Sequence, residues 1–218
     1  MAHNMTTYRK NINGICYILD EENKTASVCS LDDSLLDDTE HYEGHIQIPS
    51  IVTYIERYRV CSIFDYAFAK CKDLTDIILP DSVTSIGVNA FRECTNLTSI
   101  TIPNNIQHIG SGAFADTPWY NAQPNGLIYI GKVLYAYKGK MPHNTTVVVE
   151  DGTISISDFA FKDCTGLTSI IIPNSVTSID NSAFDGCENL QTIYIPHGMT
   201  DTFCKMGLEN LRDKIVEI

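Results

Sequence analysis

The sequence predicts an α/β solenoid, a parallel ladder of short β-strands joined by short helical turns. The first observation behind this is a repeat. The pair Ala-Phe recurs at Ala67-Phe68, Ala90-Phe91, Ala113-Phe114, Ala160-Phe161 and Ala183-Phe184, in steps of 23, 23, 47 and 23 residues. The long step is one period plus an insertion of 24. The second is the pattern around each pair. Cys71, Cys94, Thr117, Cys164 or Cys187 stands three residues after each Phe, and Leu74, Leu97, Leu167 and Leu190 follow in four units. Segments such as Ile77-Ile78-Leu79-Pro80, Ile100-Thr101-Ile102-Pro103, Ile170-Ile171-Ile172-Pro173 and Ile193-Tyr194-Ile195-Pro196 complete the unit.

Each part of the unit has a physical reading. Its apolar positions are too many for one helix face, and one unit alone cannot bury them. Stacked units place each Phe, Cys, Leu and Ile over its own copy, so Phe68, Phe91, Phe114, Phe161 and Phe184, with Cys71, Cys94, Cys164 and Cys187, form a continuous core. The Leu-x-x-Ile-x-Ile part alternates with period two and is rich in β-branched residues, as a strand requires. Ala-Phe-x-x-Cys suits a tight helical turn, with Ala small enough to let coils close up. Pro lacks the N–H needed to continue a ladder and ends each strand.

The ends and the interruption follow. Ile15-Cys16-Tyr17-Ile18-Leu19 and Thr25-Ala26-Ser27-Val28-Cys29 flank a polar turn and predict an N-terminal capping hairpin, followed by a strand at His45–Ile48. Between them Asp32, Asp33, Asp37, Asp38 and Glu40 read as a solvated acidic loop, because the calcium-loop spacing is absent. Leu127–Ile130 and Val133–Tyr137 around Gly131-Lys132 predict a hairpin inserted at about 118–145. Asp201–Met206 predicts a short helix, and Ile215–Ile218 a closing strand. The expected organisation is residues 1–43 as N-terminal hairpin and acidic loop, 44–196 as repeats and 197–218 as C-terminal cap, all in one continuous domain. The pattern departs from itself at Thr117, at Glu150 and Thr153 in the entry to the fourth unit, and at the extra residues Tyr54–Arg59 in the first.

These residues resemble the BspA-like, or Treponema-type, leucine-rich repeat family, mostly surface or secreted proteins of anaerobic bacteria. The resemblance covers about residues 44–196. It implies a leucine-rich-repeat solenoid serving as a scaffold, and an adhesin-like role at a cell surface or outside the cell. The residues give no independent evidence of compartment: Met1–Tyr8 has no apolar run of a signal peptide, and Met1 and Met5 are consistent with a junction where a leader was removed. No apolar run has the length of a membrane span.

Composition and motifs narrow the function. Fifteen Lys and Arg against 27 Asp and Glu give a net charge of −12, and without a basic run this repels phosphate backbones. The six histidines share no metal spacing, and no phosphate loop or nucleophile motif occurs, so no cofactor, metal or catalytic residue is expected. The sequons at Asn23, Asn96 and Asn144 read as inert in a bacterial host. The repeated cysteines read as free buried thiols, whereas Cys16, Cys29, Cys61 and Cys204 lie outside the register, and a bond among them stays open.

The expectation is therefore a non-enzymatic protein-binding module. Two candidate surfaces emerge. The residues flanking each central Ile point to solvent, giving a polar column of His45, Asp76, Ser99, Thr146, Ser169 and Thr192. The second column holds Gln47 and Thr101 but also Ile78, Val148, Ile171 and Tyr194, read either as an interaction row or as strand-forming residues. The other candidate is the aromatic set of the insertion, Trp119, Tyr120, Tyr135 and Tyr137. These serve either as packing or as partner anchors, and stacking on sugar rings makes glycan binding the alternative function.

Overall fold

The computed structural model describes residues 7–31 and 41–218, and the acidic stretch expected as a solvated loop lies outside the described residues. The chain forms two compact units, divided after Gln123. The first holds β1 (Thr7–Ile12), β2 (Ile15–Asp20), β3 (Thr25–Cys29), β4 (Gly44–Gln47), β5 (Ile51–Thr53), β6 (Arg57–Ile63), β7 (Leu74–Ile78), β8 (Ser85–Ile86), β9 (Ser99–Thr101), β10 (His108–Ile109) and α1 (Pro118–Asn121). The second holds β11 (Gly126–Ile130), β12 (Val133–Lys138), β13 (Thr145–Val148), β14 (Ser155–Ile156), β15 (Leu167–Ile171), β16 (Ser178–Ile179), β17 (Thr192–Ile195), α2 (Thr200–Phe203) and β18 (Ile215–Glu217).

Within each unit the repeat produces two parallel sheets. In the first, β4, β7 and β9 form one and β6, β8 and β10 continue the other, with Ser62, Ser85 and His108 in register. In the second, β13, β15, β17 and β18 form one and β12, β14 and β16 lie in the other. Phe68 and Phe91 stack with centroids 5.0 Å apart and planes at 7°, Phe91 and Phe114 at 5.6 Å and 4°. In the second unit Phe161 and Phe184 stack at 5.4 Å and 2°. Ala67, Ala90, Ala113, Ala160 and Ala183 are all buried. So are the four repeat cysteines, and every cysteine of the chain is free.

The expected helical turns are not helices. The segment Ala-Phe-x-x-Cys is a run of tight turns with bonds to the third residue back, as from Ala69 N to Tyr66 O at 3.1 Å and Cys71 N to Phe68 O at 3.1 Å. The Phe N–H is taken by the adjacent coil: Phe68 N donates to Ala90 O at 2.7 Å, Phe91 N to Ala113 O at 2.7 Å, and Phe161 N to Ala183 O at 2.8 Å. Left-handed residues on both sides of the segment, as at Tyr66 and Lys70, break the run of helical dihedrals that an α-helix needs. The residue before each Cys or Thr is left-handed throughout, at Lys70, Glu93, Asp116, Asp163 and Gly186.

The extra residues Tyr54–Arg59 are explained by an antiparallel pairing of β5 with β6, in which Val52 faces Tyr58. At its N-terminal side the chain adds one strand more than the predicted hairpin: β1 pairs antiparallel with β2, β2 with β3, and β3 runs parallel to β6. Backbone of neighbouring coils approaches closely at Gly110, where a Cβ would stand 2.5 Å from Val88 N, and at Gly166, where it would stand 2.2 Å from Pro142 O.

The stacked rings carry a stability prediction. Phe91 is fully buried between two like rings, and truncating such a side chain costs about 3–5 kcal/mol. Phe91→Ala should lower the urea midpoint by that equivalent in equilibrium unfolding; a loss under about 1 kcal/mol would mean that the rings do not carry the stack.

Candidate functional site

The second unit presents one ordered solvent-facing surface, the outer side of β13, β15, β17 and β18. Alternation fixes it. Val147, Ile170 and Ile193 turn inward at 4%, 0% and 0% exposure, so their neighbours must turn out. Val148 lies opposite Ile171, Ile171 opposite Tyr194, and Tyr194 opposite Val216. At roughly 4.8 Å per strand these four make a straight apolar row about 14 Å long. Val148 is 60% exposed and Val216 44%, while Ile171 and Tyr194 between them are half-buried. Beside the row runs the polar column, where Thr146 Oγ1 and Ser169 Oγ share a hydrogen bond of 2.7 Å, and Thr192 follows in register.

Val216 was absent from the sequence reading, although the closing strand was expected. Its signal was there: Ile215-Val216-Glu217 repeats the in-out alternation of Ile193-Tyr194-Ile195 one rung further on. The strand is fixed by side chains. Glu217 accepts from Thr200 Oγ1 at 2.6 Å, Thr200 N at 3.1 Å and Gly198 N at 2.9 Å, while Lys214 Nζ donates to Leu190 O at 2.7 Å.

The first unit's equivalent face is mostly polar. Ile78 sits half-buried between Gln47 and Thr101 in β7, so the structure does not place it in a row of apolar neighbours within its sheet. In the adjoining column His45 Nδ1 contacts Asp76 Oδ1.

The aromatic insertion does not protrude. Strand β12 runs parallel to β14, with Val133 opposite Ser155 and Leu134 opposite Ile156, so the hairpin is a member of the sheet. Of the two readings open for Tyr135, packing fits its place, since it is only 6% exposed. Tyr137 N donates to Ala160 O at 2.7 Å, the bond that Phe makes in the regular coils, and its ring packs against the unit's core. Trp119 lies 4.8 Å from Phe114, tilted at 54°, at the end of the first unit's file of rings. Tyr120 is half-buried beside it on α1, and burial raises its pKa. The reason for Thr117 emerges here. Its Oγ1 donates to Phe114 O at 2.8 Å and accepts from Tyr120 N at 3.1 Å, capping a helix that starts at Pro118. A thiol is a weak substitute at an N-cap.

Among the described residues no group of three or more His, Cys, Asp or Glu is placed to hold a metal ion. No helix among them is long and apolar enough to cross a membrane.

Comparison with known proteins follows this geometry. The model of the BspA type leucine rich repeat region matches in six copies, over residues 31–116, 61–141 and 130–206. The chain belongs to that family. A leucine-rich repeat protein from Bacteroides ovatus is 30% identical with a TM-score of 0.51, over 86% of this chain and 47% of that one. The Treponema pallidum leucine-rich repeat protein is 22% identical with a TM-score of 0.46, over 86% of this chain and 71% of that one. A leucine-rich cell surface protein from Faecalibacterium prausnitzii is 18% identical with a TM-score of 0.31, over 92% and 97%. No curated protein matches. The family is a repeat scaffold, and none of the matches indicates an enzyme.

The anchoring of β18 has a pH signature. The Thr200 hydroxyl first, then the Gly198 and Thr200 N–H groups, hold the Glu217 carboxyl down to about 2, from an ordinary 4.5. A carboxyl with a depressed folded value stabilises the fold above its unfolded value, and that contribution disappears as pH falls through the folded one. The Gly198 and Thr200 amide resonances should therefore titrate with a midpoint near 2, the tie weakening between about 4.5 and 2. Glu217→Gln should reproduce the acid-state shifts at neutral pH. A midpoint near 4.5 would show that the tie does not form in solution.

Proposed function

We propose that this chain is a non-enzymatic protein-binding module, displayed on or released from a bacterial cell, which takes a protein partner on the outer face of β13, β15, β17 and β18. The observation that carries the reading is the apolar row Val148, Ile171, Tyr194 and Val216, in register and facing solvent. Contiguous apolar surface of this kind marks interaction sites, and a repeat scaffold varies its outward residues without disturbing the stack. The location rests on the family resemblance. In the same reading the N-terminal strands cover one end of the first unit's stack and the α2–β18 segment one end of the second unit's, where bare edges would otherwise pair with other chains.

The partner this surface fits is a protein of a host or neighbouring cell that offers an apolar ridge flanked by hydrogen-bonding groups, matching the row and the Thr146–Ser169–Thr192 column. Glycan binding is the less supported reading, since Tyr135 is buried, Trp119 lies against Phe114 and Tyr137 packs on the core.

The test uses a protein captured from host extracellular material and titrated against the chain. Tyr194→Asp and Ile171→Asp should each weaken binding by about 2 kcal/mol or more, as loss of a central contact does, a drop of roughly thirtyfold. Thermal melting should stay within a few degrees, since neither residue is buried. Unchanged affinity in both variants would place the partner on another surface.

A further inference from the structure

A sulfur pair in the first unit takes no part in the docking face. Cys16 and Cys29 stand directly opposite each other in the antiparallel pair β2–β3. Residues so placed have Cα atoms about 4.5–5.5 Å apart, within the ~4.4–6.8 Å that a disulfide spans, and their side chains leave the same face of the sheet. Tyr42 pins the pair from the backbone side. Its hydroxyl accepts from Cys16 N at 2.9 Å and donates to Cys29 O at 2.8 Å. Arg9, on β1, donates from Nε to Cys16 Sγ at 2.9 Å and from Nη2 to Ser30 O.

This setting differs from that of the repeat cysteines. Cys94 Sγ donates to Phe68 O at 2.9 Å and Cys187 Sγ to Phe161 O at 3.0 Å, so each proton is engaged by a neutral carbonyl. Cys16 instead receives a hydrogen bond from a cation, and a cation at sulfur stabilises the anion that attacks. Burial first, and then hydrogen bonding with Cys16, pushes the Cys29 thiol up to about 12, so Cys29 keeps its proton. Arg9 thus donates to a sulfur that faces a second thiol directly across the strand pair. Both are nearly sealed, at 3% and 5% exposure, which admits a water-sized oxidant and excludes a bulky one.

We propose that Cys16 and Cys29 are an oxidisable dithiol that closes into a cross-strand disulfide on reaction with hydrogen peroxide. The Cys16 sulfur attacks one peroxide oxygen, the O–O bond breaks, and the departing hydroxide takes up the proton of the Cys16 thiol to become water. Cys16 is then a sulfenic acid. The Cys29 sulfur attacks the Cys16 sulfur, the S–S bond forms and the S–O bond breaks. The hydroxyl leaves as water with the proton from Cys29. Overall two thiols lose two electrons and two protons, and one peroxide becomes two waters. The bond fastens β2 to β3, which in turn pairs with β6 of the first coil.

The test treats the full chain with hydrogen peroxide, alkylates the remaining thiols and maps peptides by mass spectrometry without reduction. The expected result is a peptide cross-linked through Cys16 and Cys29, with the repeat cysteines alkylated. Cys29→Ser should leave Cys16 as a sulfenic acid that dimedone traps. Arg9→Met should slow closure about tenfold, and Arg9→Lys should restore most of the rate. Thiol loss without that cross-linked peptide, a bond between other cysteines, or an unchanged rate in Arg9→Met would overturn the proposal. The mapping on the unmodified sequence is decisive even where a variant fails to fold.

Discussion

The structure depends on one constraint, the backbone hydrogen bond that carries the N–H of a repeat Phe to a carbonyl in the next coil. Phe68 to Ala90, Phe91 to Ala113 and Phe161 to Ala183 all make it. It fixes the rise between coils at the strand spacing of about 4.8 Å. Rings at the same position must then stack nearly face on, and the measured 5.0–5.6 Å between centroids is the result. The same rise leaves no room for a side chain beyond Ala ahead of each Phe, or for any at Gly110. Turning the chain so sharply places Lys70, Glu93, Asp116 and Asp163 in left-handed backbone. Each such residue costs roughly 1–2 kcal/mol, of the same order as the ~0.5–1.5 kcal/mol net of one buried hydrogen bond. The turn persists because it supplies several such bonds together.

The departures from the repeat obey the same rule. Where Cys gives way to Thr117, the hydroxyl starts α1 and swings Trp119 onto Phe114, so the file of rings ends on an aromatic face. Where the hairpin replaces a coil, Tyr137 makes the Phe bond to Ala160 and β12 takes a strand position beside β14. Tyr42 meets Phe68 at 4.6 Å on the other side of the first unit's file. Aromatic residues that look like surface anchors in the sequence are used where the ladder needs a flat partner.

This separates what was legible in the sequence from what was not. The period, the strands and the stacked Phe and Cys positions were legible, because each coil imposes the same residue at the same place. The hairpin at Gly131-Lys132 was legible from its turn, but its place in a sheet was not, since hairpin chemistry is local and says nothing of a neighbouring strand. The choice between packing and anchoring at Tyr135 is undecidable from sequence for that reason. Ala-Phe-x-x-Cys has the spacing of a helical turn, and the left-handed residues that break it carry no sequence mark of their own. The outward register of Val148, Ile171 and Tyr194 follows from the repeat, whereas Val216 lacks that repeat signal because β18 has no Ala-Phe unit to set its register.

The two units of this chain also provide an internal comparison that bears on the row. Inward positions are dictated by stacking, whereas outward ones face water and need only tolerate strand geometry. Strand propensity alone does not require Val148, Ile171 and Tyr194, because Thr serves it as well, and Thr101 occupies the equivalent position on β9, as Gln47 does on β4. The same repeat, built twice in one chain, thus holds a mostly polar column in one unit and an unbroken apolar one in the other. Stacking cannot distinguish them and propensity does not. The proposed docking of a partner would, since leaving apolar side chains in water forgoes roughly 25 cal/mol per Å² that their burial would contribute.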